Sequence, residues 1–63
     1  MITNEDLRRE GFEYSEDSQE WKRNGIVLKE DDGKVVSIKL GETSAKTRII
    51  DVRTLKTVIS VIA

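Results

Sequence analysis

Three glycines stand eight residues apart, at positions 25, 33 and 41, and divide the middle of the chain into strand-length pieces. The first follows Asn24, between Trp21-Lys22-Arg23 and Ile26-Val27-Leu28. Asn-Gly flanked by strand formers signals a tight hairpin, because both residues tolerate positive φ. The second closes Asp31-Asp32-Gly33, a turn signal after Leu28-Lys29-Glu30. Lys34 to Leu40 then alternates, with Val36, Ile38 and Leu40 expected on one face and Val35, Ser37 and Lys39 on the other. Gly41 to Lys46 reads as a looser connection. Thr47 to Val52 reads as a strand with Ile50 and Val52 on one face and Ile49 opposite. Upstream, Phe12-Glu13-Tyr14 makes a short alternating strand, and the polar run Ser15 to Glu20 a loop or exposed connection. The sum is an antiparallel meander of three or four strands.

The ends are helical. Thr3 is a good N-cap, Asp6 three residues later resembles a capping box in which Glu or Gln is the usual partner, and Ile2 and Leu7 form a hydrophobic staple. Glu5 and Asp6 lie in the first turn and Arg8 and Arg9 in the last, as the helix dipole favours. Gly11 supplies a left-handed stop, with Phe12 placed to touch Leu7. These signals predict a short helix over about residues 4–10. At the other end Leu55, Val58, Ile59 and Ile62 fall at i, i+3, i+4 and i+7, the stripe of an amphipathic helix that Asp51 or Thr54 would cap. The run Thr57-Val58-Ile59-Ser60-Val61-Ile62 is rich in β-branched residues, so strand competes there. Helix is the expectation, because Arg53, Lys56, Thr57 and Ser60 lie opposite the stripe. A single α+β domain over residues 1–63, with one sheet face covered by two short helices, satisfies every segment.

Sixty-three residues hold one core and bury only roughly 60% of the unfolded surface. Small domains often add disulfides or metal, but this chain has no Cys and no His, so disulfides, zinc fingers, haem ligation and iron–sulfur clusters are excluded. No basic region precedes an apolar run at the N-terminus, and the longest apolar-rich stretch, from Val58, falls far short of the roughly 20 residues a bilayer span needs. A cytoplasmic protein without membrane partners is expected.

Leu7-x-x-x-Gly11-Phe12, Trp21-x-x-Asn24-Gly25-Ile26-x-Leu28, the turn Asp31-Asp32-Gly33 and the close Val52-Arg53-Thr54 with its apolar periodicity form a pattern over most of the chain. It resembles small uncharacterised proteins of bacteriophages and bacterial mobile elements. The resemblance implies architecture and context, in which very small proteins inhibit or redirect a host protein, and it brings no catalytic residues.

Catalysis is not expected. His, the usual base, and Cys are absent, and Ser15, Ser18, Thr43, Ser44, Thr54 and Thr57 suit turns and caps. Glu30-Asp31-Asp32 offers oxygens to Ca²⁺ or Mg²⁺ but lacks the alternating spacing of an EF-hand loop; a solvated turn is the plainer role, and neither metal nor cofactor is expected. The glycine spacing leaves no Gly-rich phosphate loop.

Binding remains. Trp21 is either the largest core side chain or an outward interface anchor, and Tyr14 faces the same choice. Around them Glu13, Glu16, Asp17 and Glu20 would form an acidic rim suited to a basic protein partner. Residues 1–32 carry ten acids against five bases, and residues 33–63 two acids against six bases. In that basic half Lys34, Lys39, Lys46 and Arg48 would contact phosphates if the fold gathers them. Few aromatics and an isoelectric point near 5.4 weigh against nucleic acid. The leading expectation is a non-enzymatic protein-binding module. A homodimer formed through a free strand edge or the C-terminal stripe is the alternative, and a nucleic-acid accessory domain the third.

Overall fold

Thr3 begins the first helix with the paired bonds of a capping box. In the computed structural model, which describes residues 1–62, α1 spans Asn4–Arg9. The Asp6 N–H donates to Thr3 Oγ1 at 3.1 Å, and the Thr3 N–H donates to Asp6 Oδ2 at 3.0 Å. Gly11, at φ 92°, turns the chain back at the far end. There the Phe12 N–H donates to the Leu7 carbonyl (3.0 Å) and the Gly11 N–H to the Arg8 carbonyl (2.9 Å), the two bonds of a Schellman ending. Ile2, Leu7 and Phe12 are buried together.

Five strands follow: β1 Glu13–Ser15, β2 Glu20–Arg23, β3 Ile26–Asp31, β4 Lys34–Leu40 and β5 Thr43–Ile49. They lie in chain order in one sheet, each antiparallel to the next. The expected meander therefore holds, but with five strands rather than three or four. Two segments are built differently from the sequence reading. The polar run after Ser15 contains a loop, Glu16 to Gln19, with Gln19 at φ 57°, and it returns Glu20–Arg23 beside Glu13–Ser15. Gly41, at φ 63°, lets Leu40 pair directly with Thr43, so the segment read as a loose connection is strand. Ser44 and Lys46 there are exposed, and an edge strand with so much polar surface shows little apolar alternation. The other two hairpins match their residues. Asn24 and Gly25 (φ 46° and 84°), like Asp32 and Gly33 (φ 52° and 79°), are both left-handed, the type I′ condition that matches strand twist.

Register irregularities coincide at Val36. Lys29 pairs with Ser37 and Glu30 with Val35, which leaves Val36 as an extra residue in β4. On the other side Val35 pairs with Ile49 and Ser37 with Lys46, which leaves an extra residue in β5. The bulges change the phase of alternation. Val35, expected on the face opposite Ile38, is consequently fully buried, and its partner Ile49 is buried with it. β5 ends there. Ile50 is exposed, and Val52 begins a helix rather than ending a strand.

That helix, α2, spans Val52–Ile62, so the helical reading of the C-terminus holds over strand. Asp51 caps it, accepting the Thr54 N–H at 2.8 Å and the Thr54 hydroxyl at 3.1 Å. Leu55 and Ile59 are buried, with Val52, Val58 and Ile62 packed beside them. Packing of this stripe outweighs the β-branched propensity, which spans only about 1 kcal/mol.

Both helices cover one face of the sheet. Its central row runs through directly paired residues, Tyr14, Trp21, Leu28, Ile38 and Ala45. Leu28 is fully buried in the middle of that row. Five strands at about 4.8 Å spacing are about 19 Å wide, and a helix covers about 10 Å. α1 has only six residues, so part of the face is left without a helix above it.

Candidate functional site

Trp21 comes first, because the sequence leaves its role open. It is 2% exposed, so the core role holds and the role of outward anchor does not. The α1 side chain Arg8 lies over its ring, 5.4 Å from the centroid, and Tyr14 packs against it at 5.1 Å between centroids with the rings tilted by 55°. Tyr14, across the strand pair at the edge of the sheet, stays 46% exposed. The proposed acidic rim does not gather around it. Glu13 pairs with Lys22 and Glu20 with Ser15, one step of alternation from the Tyr14–Trp21 pair and hence on the opposite face. Glu16 and Asp17 lie in the exposed loop between the strands.

The basic residues are arranged differently from the chain's charge split. One row of the helix-free face reads Glu13, Lys22, Val27, Lys39, Ser44, and beside it lie the paired Ser15 and Glu20 and the row Lys29, Ser37, Lys46. Lys39 and Lys46 thus share a face with Lys22 and Lys29 from the acidic half of the chain. Lys34 pairs with Asp31 at the β3–β4 turn, and Arg48 is exposed near the bulge. The sequence asymmetry does not become two opposite faces, because a meander in chain order sets the two halves side by side across the sheet and each face carries residues of both. The rows contain no aromatic residue, so this face can hold phosphates by charge but offers no platform for bases.

An apolar concavity lies on the helix side, where the sequence offered only a strand edge and a helical stripe. A groove of about 420 Å³ runs between the C-terminal half of α2 and β4–β5. Ile38, Leu40, Thr43, Ala45 and Thr47 form one wall, and Val58 and Ile62 the other. Strand alternation places Thr43 and Ala45 on the helix side with Ile38, and the unhelixed width of the sheet keeps them uncovered. The groove contains no ionisable side chain, so it offers apolar contact and two hydroxyls rather than acid–base chemistry. Among the described residues β5 has β4 as its only neighbour in the sheet, and its other edge is unpaired. A free backbone edge therefore lies beside an apolar groove. Sequence reasoning missed the groove because Thr43 and Ala45 were assigned to a connection.

The clearly displaced carboxyl titrations belong to helix caps. The Thr3 backbone N–H holds the Asp6 carboxyl below the usual carboxylate range, and the Thr54 backbone N–H does the same at Asp51, each helped by the hydroxyl of the same threonine. Both are structural. Among the described residues no cluster of acidic side chains is placed to hold a metal ion, and no helix is long and apolar enough to cross a membrane. No protein-family model matches the chain, and neither a curated protein nor a solved structure is similar to it.

Proposed function

We propose that this chain is a non-enzymatic protein-binding domain whose contact surface is the free edge of β5 together with the groove between β5 and α2. The observation that carries the reading is their adjacency. An unpaired strand edge supplies N–H and C=O groups to an incoming strand, and alternate side chains of that strand would project into the groove. Leu40 and Val61, 38% and 80% exposed, extend the apolar surface at its margins. The absence of an ionisable group in the groove supports binding over catalysis. Tyr14 and the acidic β1–β2 loop lie at the opposite edge and are outside this surface.

The test places a photo-crosslinking amino acid at position 45, in the groove, and separately at position 39, on the lysine face. Adducts that form from position 45, fail from position 39, and disappear with Val58→Asp support the reading. Absence of adducts from position 45, in native-host lysate and in concentrated pure protein alike, overturns it.

The lysine rows favour a second reading, polyanion binding by the open sheet face. A shift of labelled DNA at low salt that Lys39→Glu with Lys46→Glu abolishes would support it; no shift at low salt removes it.

A further inference from the structure

We infer that the occupant of the β5 edge and groove is a second copy of this chain, paired antiparallel about a two-fold axis at Ala45. The inference rests on the binding surface proposed above and names its partner.

The backbone sets which residues can pair. Leu40 and Thr43 flank a two-residue turn, so they form a hydrogen-bonded pair, and such pairs alternate along an antiparallel ladder. Ala45, opposite Ile38, also directs its N–H and C=O at β4. Ser44 and Lys46 direct theirs outward. Two copies whose helices lie on the same side of a joined sheet must pair residues of like alternation, which leaves registers centred on a residue of β5. Centring on Lys46 sets Lys46 against its own copy. Centring on Thr47 sets Lys46 against Arg48. Like charges directly opposite are destabilising.

Centring on Ala45 meets both requirements. Ser44 then faces Lys46, and these are the residues whose backbone groups are free. Thr43 faces Thr47. Glu42, in the turn just before Thr43, comes near Arg48 at each end of the overlap, so opposite charges approach twice. Centring on Ser44 also avoids a like-charge clash, but it shortens the overlap. The Ala45 pair is small and not hydrogen-bonded, so the strands approach closely at the axis, and the two grooves become one continuous apolar floor. Val58, the exposed Val61 and Ile62, at i, i+3 and i+4 on α2, flank that floor from each copy.

The absence of native cysteine makes a direct geometric test possible. A non-hydrogen-bonded antiparallel pair holds its Cα atoms about 4.5 Å apart, within disulfide range. Under mild oxidation Ala45→Cys should give a disulfide-linked dimer, and Lys39→Cys on the exposed opposite face should not. Sedimentation of the unmodified protein should show a reversible, concentration-dependent dimer. Glu42→Lys should weaken it about tenfold by setting lysine against Arg48, and Glu42→Lys with Arg48→Glu should restore it. Both positions are exposed, so circular dichroism should stay native throughout.

A monomer at every concentration up to about 1 mM overturns the inference. So does a dimer that Glu42→Lys leaves unchanged and in which Ala45→Cys links no faster than Lys39→Cys. If position 45 instead crosslinks to a different protein, self-pairing fails while the groove keeps its binding role. If it crosslinks to nothing, both fail.

Discussion

On the side of the sheet held by the N-terminal segment, Ile2, Leu7, Phe12 and Trp21 are at most 2% exposed, whereas beside the end of α2 Leu40 is 38% exposed and Val61 80%. The two regions draw on similar residues and differ in how the covering chain is attached. The N-terminal segment is fixed at several points. The Ile2 N–H donates to the Gly33 carbonyl at 2.8 Å, the capping box fixes the start of α1, and the Schellman ending returns Phe12 to the core. Arg8 and Arg23 then lay their stems and guanidinium groups over Trp21 and Phe12. α2 is fixed by its Asp51 cap and by Leu55 and Ile59, with the surface pair Lys56–Glu10 at 3.5 Å adding little. One helix covers less width than the sheet presents. Closure of an apolar face therefore depends on attachment points and width as much as on apolar content.

The largest effect that would break this contrast is on the sealed side. Trp21→Ala should cost about 3–5 kcal/mol, comparable to the whole stability of a small domain, and abolish the cooperative urea transition. A folded Trp21→Ala protein with a native circular dichroism spectrum would refute the sealed core. Next comes the attachment itself. Gly33 is buried and left-handed, and the Met1 side chain occupies the space a β-carbon would need. Gly33→Ala should cost about 1–3 kcal/mol, and more than Gly25→Ala, where no atom stands in the way. Equal urea midpoints for the two variants would show that the N-terminal clamp contributes nothing.

On the open side Leu40→Ser should change stability by less than about 1 kcal/mol while weakening whatever binds the groove. A loss comparable to that at Trp21 would mean that the groove is core. The smallest effect expected is acid sensitivity at the caps. Asp6 and Asp51 have folded-state pKa values below the ordinary 3.8, so their contribution is present above that value and lost as pH falls through the lower folded values. Urea midpoints followed from about pH 6 to about pH 2 should fall, and the fall should be shallower in Asp51→Asn. An identical slope would remove Asp51 from the account.

Much of the architecture was legible because it is local. Thr3, Asp6 and Gly11 specify α1 through bonds spanning a few residues, and Asn24-Gly25 and Asp32-Gly33 specify their turns by tolerance of positive φ. The helical stripe of Leu55, Val58, Ile59 and Ile62 was legible as periodicity. What escaped was non-local. Thr43-Ser44-Ala45-Lys46 has weak strand character of its own and becomes a strand because β4 lies beside it. The burial of Val35 depends on a bulge that neighbouring strands impose, and no alternation pattern contains it. The candidate surface was the least legible. The sequence pointed to Trp21 and its acidic neighbours, but strand pairing put that ring inside and those carboxylates on two faces and a loop.

By itself the sequence determined the caps, the Asn24-Gly25 and Asp32-Gly33 turns and the exclusion of cysteine and histidine chemistry. These follow from bond geometry and side-chain inventory, which act over a few residues. The tertiary structure alone decided that the meander has five strands, that lysines from both halves share one face, and that an apolar groove opens beside β5. Each of those depends on which strands lie side by side and how far a helix reaches across them, quantities set by packing between residues far apart in the chain.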